Sequence, residues 1–415
     1  MTKSGTLYDP RRAAEIQDPL PALRLLQERE PVHWSRPLRG WVITRYDDVK
    51  AILTSKDVSA DRLTPFYNSQ KPEQQRGLFD LIRYLNTWVV FKDPPDHGRL
   101  RTLLNRAVTP VTMRSLGPSI QAMIDELLRP LLSHDTVKFE FIEQFANPLP
   151  ASVIMDLLGV PISDMPQVRH WSAQIQPFIG GSTVAGDKYE IGREGIVAMA
   201  DYFRTAVRAR EMERRSDVIS YLMELRDDRQ LTDDELIGTC ILLLFAGHET
   251  TTNLIGNGLR ALIEHPAQMA KLRANPGLAE SAVEEMLRFD GPTGAVVRIV
   301  DRPILLHGHE LKTGERLFAM VNAANHDERR FRNAAEFDIE RSPNRHLTFN
   351  HGAHFCLGAP LARLEGQLAM TSLLRAFCDI RLCAPAPEYM DTIVMRGVRE
   401  MWLEVDRTED RSKPY

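Results

Sequence analysis

One cysteine lies in a sequence setting that could stabilise a sulfur anion. Residues 349–358 read FNHGAHFCLG, so a glycine-bearing loop leads to Cys356, and Pro360 follows shortly afterwards. Proline is tolerated in the first turn of a helix, which predicts that Cys356 lies just before a helix N-terminus. Free backbone N–H groups and the helix dipole favour a thiolate there, and the glycines let the loop approach a flat ligand. The alternative is a buried structural cysteine, but this loop favours a thiolate held against a large ligand.

A polar segment interrupts a long apolar helix in the middle of the chain. Thr232 and Glu235 have the spacing of a capping box, and no proline follows until Pro266, which predicts a helix of roughly 30 residues. The first half of this helix is apolar on nearly all sides, whereas residues 246–250 read AGHET. Buried polar groups on a core helix need partners or a purpose. A zinc-protease HExxH motif is excluded, because Thr252 holds the position of the second histidine.

Two further pairs of polar side chains share helix faces. His97 and Arg101 lie on a helix predicted to begin near Asp96, and Glu285 and Arg288 lie on a later helix. On spacing alone, both pairs are typical of solvated surfaces, and an exposed Glu–Arg pair contributes only about 0.2–0.5 kcal/mol to a helix. Their function therefore depends on what else surrounds them.

The elements that must position these residues indicate a mainly α fold with a minor β region. Residues 31–34 and 41–45 read as short strands, and residues 46–53 as a helix. Helical patterns dominate residues 97–290, short β-like runs such as 296–300 follow, and a last helix is predicted over residues 358–377. With no repeat or low-complexity linker, we predict one large domain over residues 1–405 and a polar tail over residues 406–415.

Composition narrows the class of protein. The 415 residues carry a formal net charge of -4, which gives no indication of binding to nucleic acid or to an anionic membrane surface. The longest dense apolar run, residues 241–246, is far shorter than the roughly 20 residues of a spanning helix. The N-terminal residues contain no apolar core typical of a signal peptide, and the 4 cysteines form no CxxC pair or disulfide framework. We therefore expect a cytoplasmic protein without a membrane anchor.

The cysteine loop resembles the haem-binding signature of the cytochrome P450 family, F-G-x-G-x-H-x-C-x-G. The matching positions are Phe349, Gly352, His354, Cys356 and Gly358. The sequence departs from the signature at Asn350, where the family usually has glycine. The resemblance, which covers nearly the whole chain, is to the bacterial, soluble, ferredoxin-dependent type. It implies a single large haem-thiolate monooxygenase fold with haem b as cofactor.

The resemblance also implies a role for each polar motif. Cys356 is expected to be the axial thiolate ligand of the haem iron. Thr250 is expected to hydrogen-bond the oxygen being activated, Glu249 to relay protons, and Ala246 and Gly247 to leave room beside them. The residues expected to bind the haem propionates are His97, Arg101, Arg298 and His354. The residues expected to lock the fold behind the haem, without a chemical role, are Glu285, Arg288 and Arg341.

The implied reaction is hydroxylation or epoxidation of a lipophilic molecule by O2 and two electrons. The sequence carries no flavin or iron–sulfur motif, so the electrons are expected to come from NAD(P)H through a ferredoxin reductase and a ferredoxin. Such an acidic partner could dock on a patch of basic residues, for which the candidates are Arg99, Arg106, Arg114 and Arg363. Ordinary surface arginines are the alternative interpretation. We expect a monomer.

The residues predicted to line the substrate pocket are apolar. They are Trp88, Val89, Phe178, Leu243, Val296, Val297 and Val394. A terpenoid, steroid, polyketide or fatty acid therefore fits better than a polar molecule. Three alternatives remain at this point: a haem-based sensor or carrier, a peroxide-driven peroxygenase, and a helical protein without haem, which would leave the Cys356 loop unexplained.

Overall fold

A computed structural model describes residues 7–182 and 187–408, without the side chains of residues 110–112. The helices are α1 (Ala13–Gln17), α2 (Leu20–Arg29), α3 (Tyr46–Thr54), α4 (Leu63–Asn68), α5 (Pro72–Leu85), α6 (Asp96–Ala107), α7 (Pro110–Ser115), α8 (Gly117–Leu128), α9 (Pro148–Leu158), α10 (Met165–Ile179), α11 (Lys188–Met212), α12 (Val218–Asp227), α13 (Asp233–Glu264), α14 (Pro266–Ala274), α15 (Ala279–Asp290), α16 (Val321–Ala324) and α17 (Ala359–Ala376). The strands are β1 (Val32–Ser35), β2 (Gly40–Ile43), β3 (Val58–Ser59), β4 (Thr136–Glu140), β5 (Ala295–Val300), β6 (Ile304–Leu306), β7 (His309–Leu311), β8 (Arg316–Met320), β9 (Phe377–Leu382) and β10 (Trp402–Arg407).

The predicted mainly α architecture with a minor β region is confirmed. Helix α13 is 32 residues long and begins with the predicted capping box, in which Thr232 and Glu235 bond each other's backbone N–H groups. It is buried along most of its length and packs against α5, α9, α11, α15 and α17. Because the surrounding core holds α13 in place, it also fixes the position of residues 246–250 relative to the rest of the site.

The sheets lie at the edges of the helical body. The largest has the strand order β1-β2-β8-β5-β3, with β2 and β8 parallel and the other neighbours antiparallel. A second sheet has the order β4-β10-β9, and β6 pairs with β7. The predicted strands near residues 31–45 and 296–300 and the last helix match β1, β2, β5 and α17.

The predicted start of the C-terminal tail is wrong, and one short strand interrupts the segment that is otherwise dominated by helices, as predicted. Strand β4 lies within residues 97–290, where the sequence indicated helices, because its residues pair with a strand from the far end of the chain. Strand β10 continues to Arg407, and the backbone N–H of Thr408 donates to the carbonyl of Ala376 at 3.1 Å. The tail therefore begins later than residue 406, and residues 409–415 lie outside the described residues.

Within the described parts of the chain, none of the helices combines the length and the apolar character that crossing a bilayer requires.

Candidate active site

The loop before α17 holds Cys356 in a fixed backbone turn. The backbone N–H of Cys356 donates to the carbonyl of Phe349 at 2.8 Å. Both Asn350, with φ 65°, and Gly352, with φ 72°, adopt the left-handed conformation. Asparagine is one of the few residues with a side chain that adopts it readily, which explains how Asn350 can stand where the signature has glycine.

The surroundings of the Cys356 sulfur have opposing effects on the pKa of its thiol. Burial raises the pKa of the thiol, whereas the backbone N–H groups of Gly358 and Ala359 and the charge of Arg101 lower it. Helix α17 begins at Ala359, so these N–H groups belong to its free N-terminus. The predicted position of Cys356 before a helix N-terminus is thus confirmed, while burial outweighs the helix end in setting the pKa of the thiol.

Helix α13 forms the opposite wall of a cavity that Cys356 also lines. Ala246, Gly247 and Thr250 line this cavity, and the Thr250 hydroxyl donates back to the carbonyl of Ala246 at 2.9 Å. Glu249 is not among the lining residues. Its Oε1 lies 3.3 Å from Nε2 of His248, whose Nδ1 lies 2.8 Å from the carbonyl of Leu244. The structure therefore places Thr250, and not Glu249, at the cavity.

Cationic and imidazole side chains gather at one end of the cavity. His97, Arg101 and His354 line it, and the rings of the two histidines are 4.1 Å apart. Burial and the charge of Arg298 lower the pKa of His354 to about 3, and burial and the charge of Arg101 lower that of His97. Arg298 is buried beside them, and its Nη2 has no hydrogen-bond partner within the described residues.

Most of the remaining lining is apolar, and it contains three of the predicted pocket residues. These are Val89, Leu243 and Val296. Val296 is on β5, where successive side chains point to opposite faces of the sheet. This alternation directs Val296 into the cavity and Val297 away from it, into a core cluster with Phe318.

Four predicted pocket residues lie elsewhere, and their placement corrects the prediction. Besides Val297, these are Trp88, Phe178 and Val394. The Trp88 ring packs against Phe91 and Phe245, and Phe178 packs against Phe66 and Tyr189. Val394 is held by backbone hydrogen bonds to Gly180 and Gly294 and packs against two core clusters. In each case, the side chain that the sequence predicted to line the cavity packs against neighbouring core residues instead.

Comparison with known proteins assigns a family to this arrangement. The model of the family "Cytochrome P450" matches residues 193–382. The chain is 38% identical over 362 residues to the "Biotin biosynthesis cytochrome P450" of Bacillus subtilis (strain 168), covering 87% of this chain and 89% of that protein. The chain belongs to the cytochrome P450 family. It is therefore an oxidoreductase of the monooxygenase class, and its cofactor is haem.

Solved structures of other P450s share the fold of this one. P450BioI in complex with an acyl carrier protein ligated to hexadec-9Z-enoic acid is 35% identical, with a TM-score of 0.87 over 95% of this chain and 99% of that chain. CYP109E1 from Bacillus megaterium in complex with testosterone is 31% identical, with a TM-score of 0.85 over 95% of this chain and 99% of that chain. The likeness extends over almost the whole P450 chain.

The donor set of the cavity fits haem. A sulfur lies on one wall for an iron ion, and Arg101 lies at one end for carboxylates. A buried guanidinium nitrogen without a partner is costly, and Nη2 of Arg298 is such a nitrogen. A haem propionate would satisfy it, which agrees with the expected role of Arg298.

The three residues expected to lock the fold form a buried network. The carboxylate of Glu285 accepts hydrogen bonds from Arg288 at 2.7 and 2.8 Å and from Arg341 at 3.1 Å. Arg288 also donates to the carbonyls of Asn325 and Ala334, and both Glu285 and Arg288 are 0% exposed. The surface-pair alternative for Glu285 and Arg288 is therefore wrong.

The structure gives Gly247 a second reason to be glycine. A Cβ atom built on Gly247 would lie 2.8 Å from Cγ1 of Ile154 on α9, closer than side-chain carbons pack. The absence of a side chain at Gly247 therefore lets α13 and α9 approach, in addition to leaving space in the cavity.

The predicted basic docking patch is weakened by internal pairing. Arg99 forms ion pairs with Glu235 and Asp96, and Arg363 pairs with Glu284 at 2.6 Å. These carboxylates neutralise two of the four candidate cations. The other two, Arg106 and Arg114, are exposed.

Among the residues near the cavity that the sequence did not indicate, three are polar or charged and bear on the site. Thr251 and Glu365 line it, and burial raises the pKa of the Glu365 carboxyl well above its usual value. Arg62 is half-buried near Arg298, whose charge acts on it. No local motif marks these positions. Glu365 alone gives a signal, since it is a carboxylate on the apolar helix that follows Cys356.

Proposed function

We propose that this P450 uses O2 and two electrons from a separate redox partner to hydroxylate or epoxidise a lipophilic small molecule. The observation that carries the proposal is the cavity that Cys356, Thr250 and apolar side chains line together. We propose haem b as the cofactor, a ferredoxin and its reductase as the route from NAD(P)H, and a monomer in the cytoplasm as the working form.

Cys356 would hold the haem iron, and Arg101, Arg298, His97 and His354 would hold the propionates. Bound in this way, haem supplies oxygen activation, which thiolate ligation promotes by donating electron density. The protein contributes ligation, orientation and protons. Thr250 would release the Ala246 carbonyl and donate its hydroxyl proton into the cavity, and Glu249 would return protons to this region from His248 and solvent.

The substrate class follows from the cavity walls. Val89, Leu243 and Val296 offer apolar surface and no hydrogen-bonding side chain. Apolar pockets select ligands by buried area and shape. Terpenoids, steroids, polyketides and fatty acids are therefore the proposed classes, and the fatty acyl and testosterone complexes of the two similar P450s support two of them.

Replacing Thr250 tests the proton-delivery role. In Thr250→Ala we expect reductant consumption to continue, product per electron to fall about tenfold or more, and hydrogen peroxide to rise, because a positioned proton donor contributes about 10²–10⁴-fold to rate. Thr252→Ala, which removes a buried hydroxyl on the same helix that does not line the cavity, is the matched control. Unchanged coupling in Thr250→Ala would contradict the proposal.

Measurements on the same purified protein distinguish the proposed function from two alternatives. A haem sensor or carrier would show the red-shifted carbon monoxide spectrum of thiolate ligation but no turnover with surrogate electron donors. A peroxygenase would turn over with hydrogen peroxide and would not depend on Thr250. A spin-shift binding screen across lipophilic compounds then identifies the substrate class.

A further inference from the structure

The side chain of Arg298 is buried, that of Arg62 near it is half-buried, and neither pairs with a carboxylate among the described residues. Nη1 of Arg298 donates to the carbonyl of Val297 at 2.9 Å, and its Nη2 has no partner in the part of the chain that the structure describes. Nη2 of Arg62 donates to the carbonyl of Ile179 at 3.0 Å, and its guanidinium lies 5.1 Å from the centre of the Phe91 ring. Within residues 7–182 and 187–408, neither arginine forms an ion pair.

The backbone fixes Arg62 beside Arg298. Ser59 on β3 pairs with Ile299 on β5, so the residues that follow Ser59 lie next to the residue that precedes Ile299. The carboxylate of Asp93 accepts from the Ser59 hydroxyl and from the backbone N–H of Ala60 at 2.8 Å. These contacts tie the segment before α4 to the loop that leads into α6, which carries His97 and Arg101.

This arrangement is costly without an anion. Burial and the charge of Arg298 lower the pKa of Arg62 to about 10, and burial lowers that of Arg298 to about 10, so both stay charged at neutral pH. Two like charges in a poorly solvated site repel each other and lose hydration. Asp93 acts on Arg298 only across a distance.

Counting charges identifies the missing anion. Apart from the Cys356 sulfur, whose negative charge would be taken up by the haem iron, Arg62, Arg101 and Arg298 are three cations and Asp93 is one anion in the same region. Haem brings two propionates to the end of the cavity that Arg101 lines, which balances the remaining two positive charges. His97 and His354, whose pKa values are lowered, add hydrogen-bonding groups without adding charge.

We propose that Arg62 is a further haem-binding residue that shares one propionate with Arg298. Through its bond to the Ile179 carbonyl, Arg62 also connects that propionate to the C-terminal end of α10. This inference rests on haem binding, which belongs to the family, and assigns a residue that no haem motif contains.

Haem release from the holoenzyme tests the proposal. We expect Arg62→Gln to release haem to excess apomyoglobin about tenfold faster or more, since a hydrogen bond to a charged group contributes about 1.5–3 kcal/mol and each 1.4 kcal/mol is tenfold. Arg76→Gln, which replaces an exposed arginine on α5, is the control and should leave the rate unchanged. Arg62→Lys keeps the charge without the planar fork and should fall between the two. An unchanged release rate in Arg62→Gln would overturn the proposal.

A spectroscopic readout separates propionate binding from packing. The resonance Raman band of propionate bending reports hydrogen bonding to that carboxylate, and we expect it to shift in Arg62→Gln and in Arg298→Gln but not in Arg76→Gln. The double variant should change less than the sum of the single variants, because both residues bind one group. Faster release with an unshifted band would show that Arg62 acts through packing, which overturns the proposal.

Two further outcomes keep this proposal distinct from the proposed function. If Arg62→Gln weakened binding of myristate while haem release and the Raman band stayed unchanged, Arg62 would serve a substrate carboxylate and the proposal would be wrong. If instead the wild-type protein bound haem but turned over no substrate, the monooxygenase function would fail, and the release and Raman results would still decide the role of Arg62.

Discussion

Two buried clusters of arginine side chains in this P450 differ in what completes them. Behind the cavity, Arg288 and Arg341 surround Glu285, and backbone carbonyls accept the remaining guanidinium hydrogens. Near His354, Arg62 and Arg298 have carbonyl partners but no carboxylate partner among the described residues. The first cluster is complete within the protein, and the second requires an external anion.

This difference separates a structural role from a binding role. A buried charge that the chain itself neutralises maintains the fold, and it needs no ligand to be stable. A buried charge that the chain leaves unpaired costs stability in the free protein, and the ligand that pairs with it recovers that energy on binding. Completeness of pairing therefore distinguishes the two clusters, although both consist of the same residue types.

The largest expected effect concerns the complete cluster. Glu285→Gln should lower the free energy of unfolding by about 3–5 kcal/mol, because it leaves two buried guanidinium groups without their counter-charge. Urea denaturation measures this with or without haem. Glu280→Gln, at an exposed position on the same helix, should change stability by less than about 0.5 kcal/mol. Equal effects of the two substitutions would contradict the structural role.

The next effect concerns the incomplete cluster and has a different signature. Arg298→Gln should speed haem release by about tenfold to a hundredfold, corresponding to about 1.5–3 kcal/mol for a hydrogen bond to a charged group. The haem-free protein should be no less stable than wild type, because the substitution removes an unpaired buried charge. Denaturation of the haem-free form and haem transfer measure the two quantities. A loss of stability without haem would remove the distinction between the clusters.

The two faces of β5 extend the comparison to apolar residues. Val297→Ala should lower the free energy of unfolding by about 1–2 kcal/mol, since it removes buried methyl groups from a core cluster. Val296→Ala should change stability less and should alter the spin shift produced by lipophilic ligands. Thermal unfolding and ligand titration of both variants provide the measurements. The reverse pattern would show that the faces are misassigned.

The smallest effect concerns a carboxylate next to the complete cluster. Although burial opposes it, hydrogen bonding from His346 and Arg363 lowers the pKa of Glu284 to about 2. Because folding depresses this pKa, the contribution is present above the unfolded value of about 4.3 and is lost as the pH falls through about 2. Glu284→Gln should therefore make stability less dependent on pH in this acidic range. Urea denaturation at several pH values in this range measures the free energy of unfolding. If its slope against pH were the same in Glu284→Gln as in the wild-type protein, the prediction would be wrong.

The chemistry-bearing motifs could be predicted because each depends on local sequence. The Cys356 loop needs glycine-type conformations and a following helix, and the capping box of α13 needs only Thr232 and Glu235. Each of these two motifs consists of residues that are consecutive or nearly consecutive in the sequence. The expected roles of His97, Arg101 and Arg298 came from resemblance, and their burial at one end of the cavity supports those roles without testing them.

The remaining features depend on contacts between distant segments. Arg62 lies beside Arg298 only because β3 pairs with β5, and nothing near Arg62 in the sequence indicates that pairing. Trp88 and Phe178 were assigned to the cavity because they are apolar and close to it in sequence. Apolar character alone does not indicate the direction in which these two side chains point, and contacts with aromatic neighbours determine it here.

The contact between Gly247 and Ile154 restricts how the substrate range of this enzyme can evolve. Any side chain at Gly247 would push α9 away from α13 before it reshaped the cavity, so selection for new substrates is closed at that position. Leu243 and Val296 line the same cavity and already carry side chains, which can be made larger or smaller. Directed evolution should therefore find tolerated changes of specificity at these two positions and almost none at Gly247.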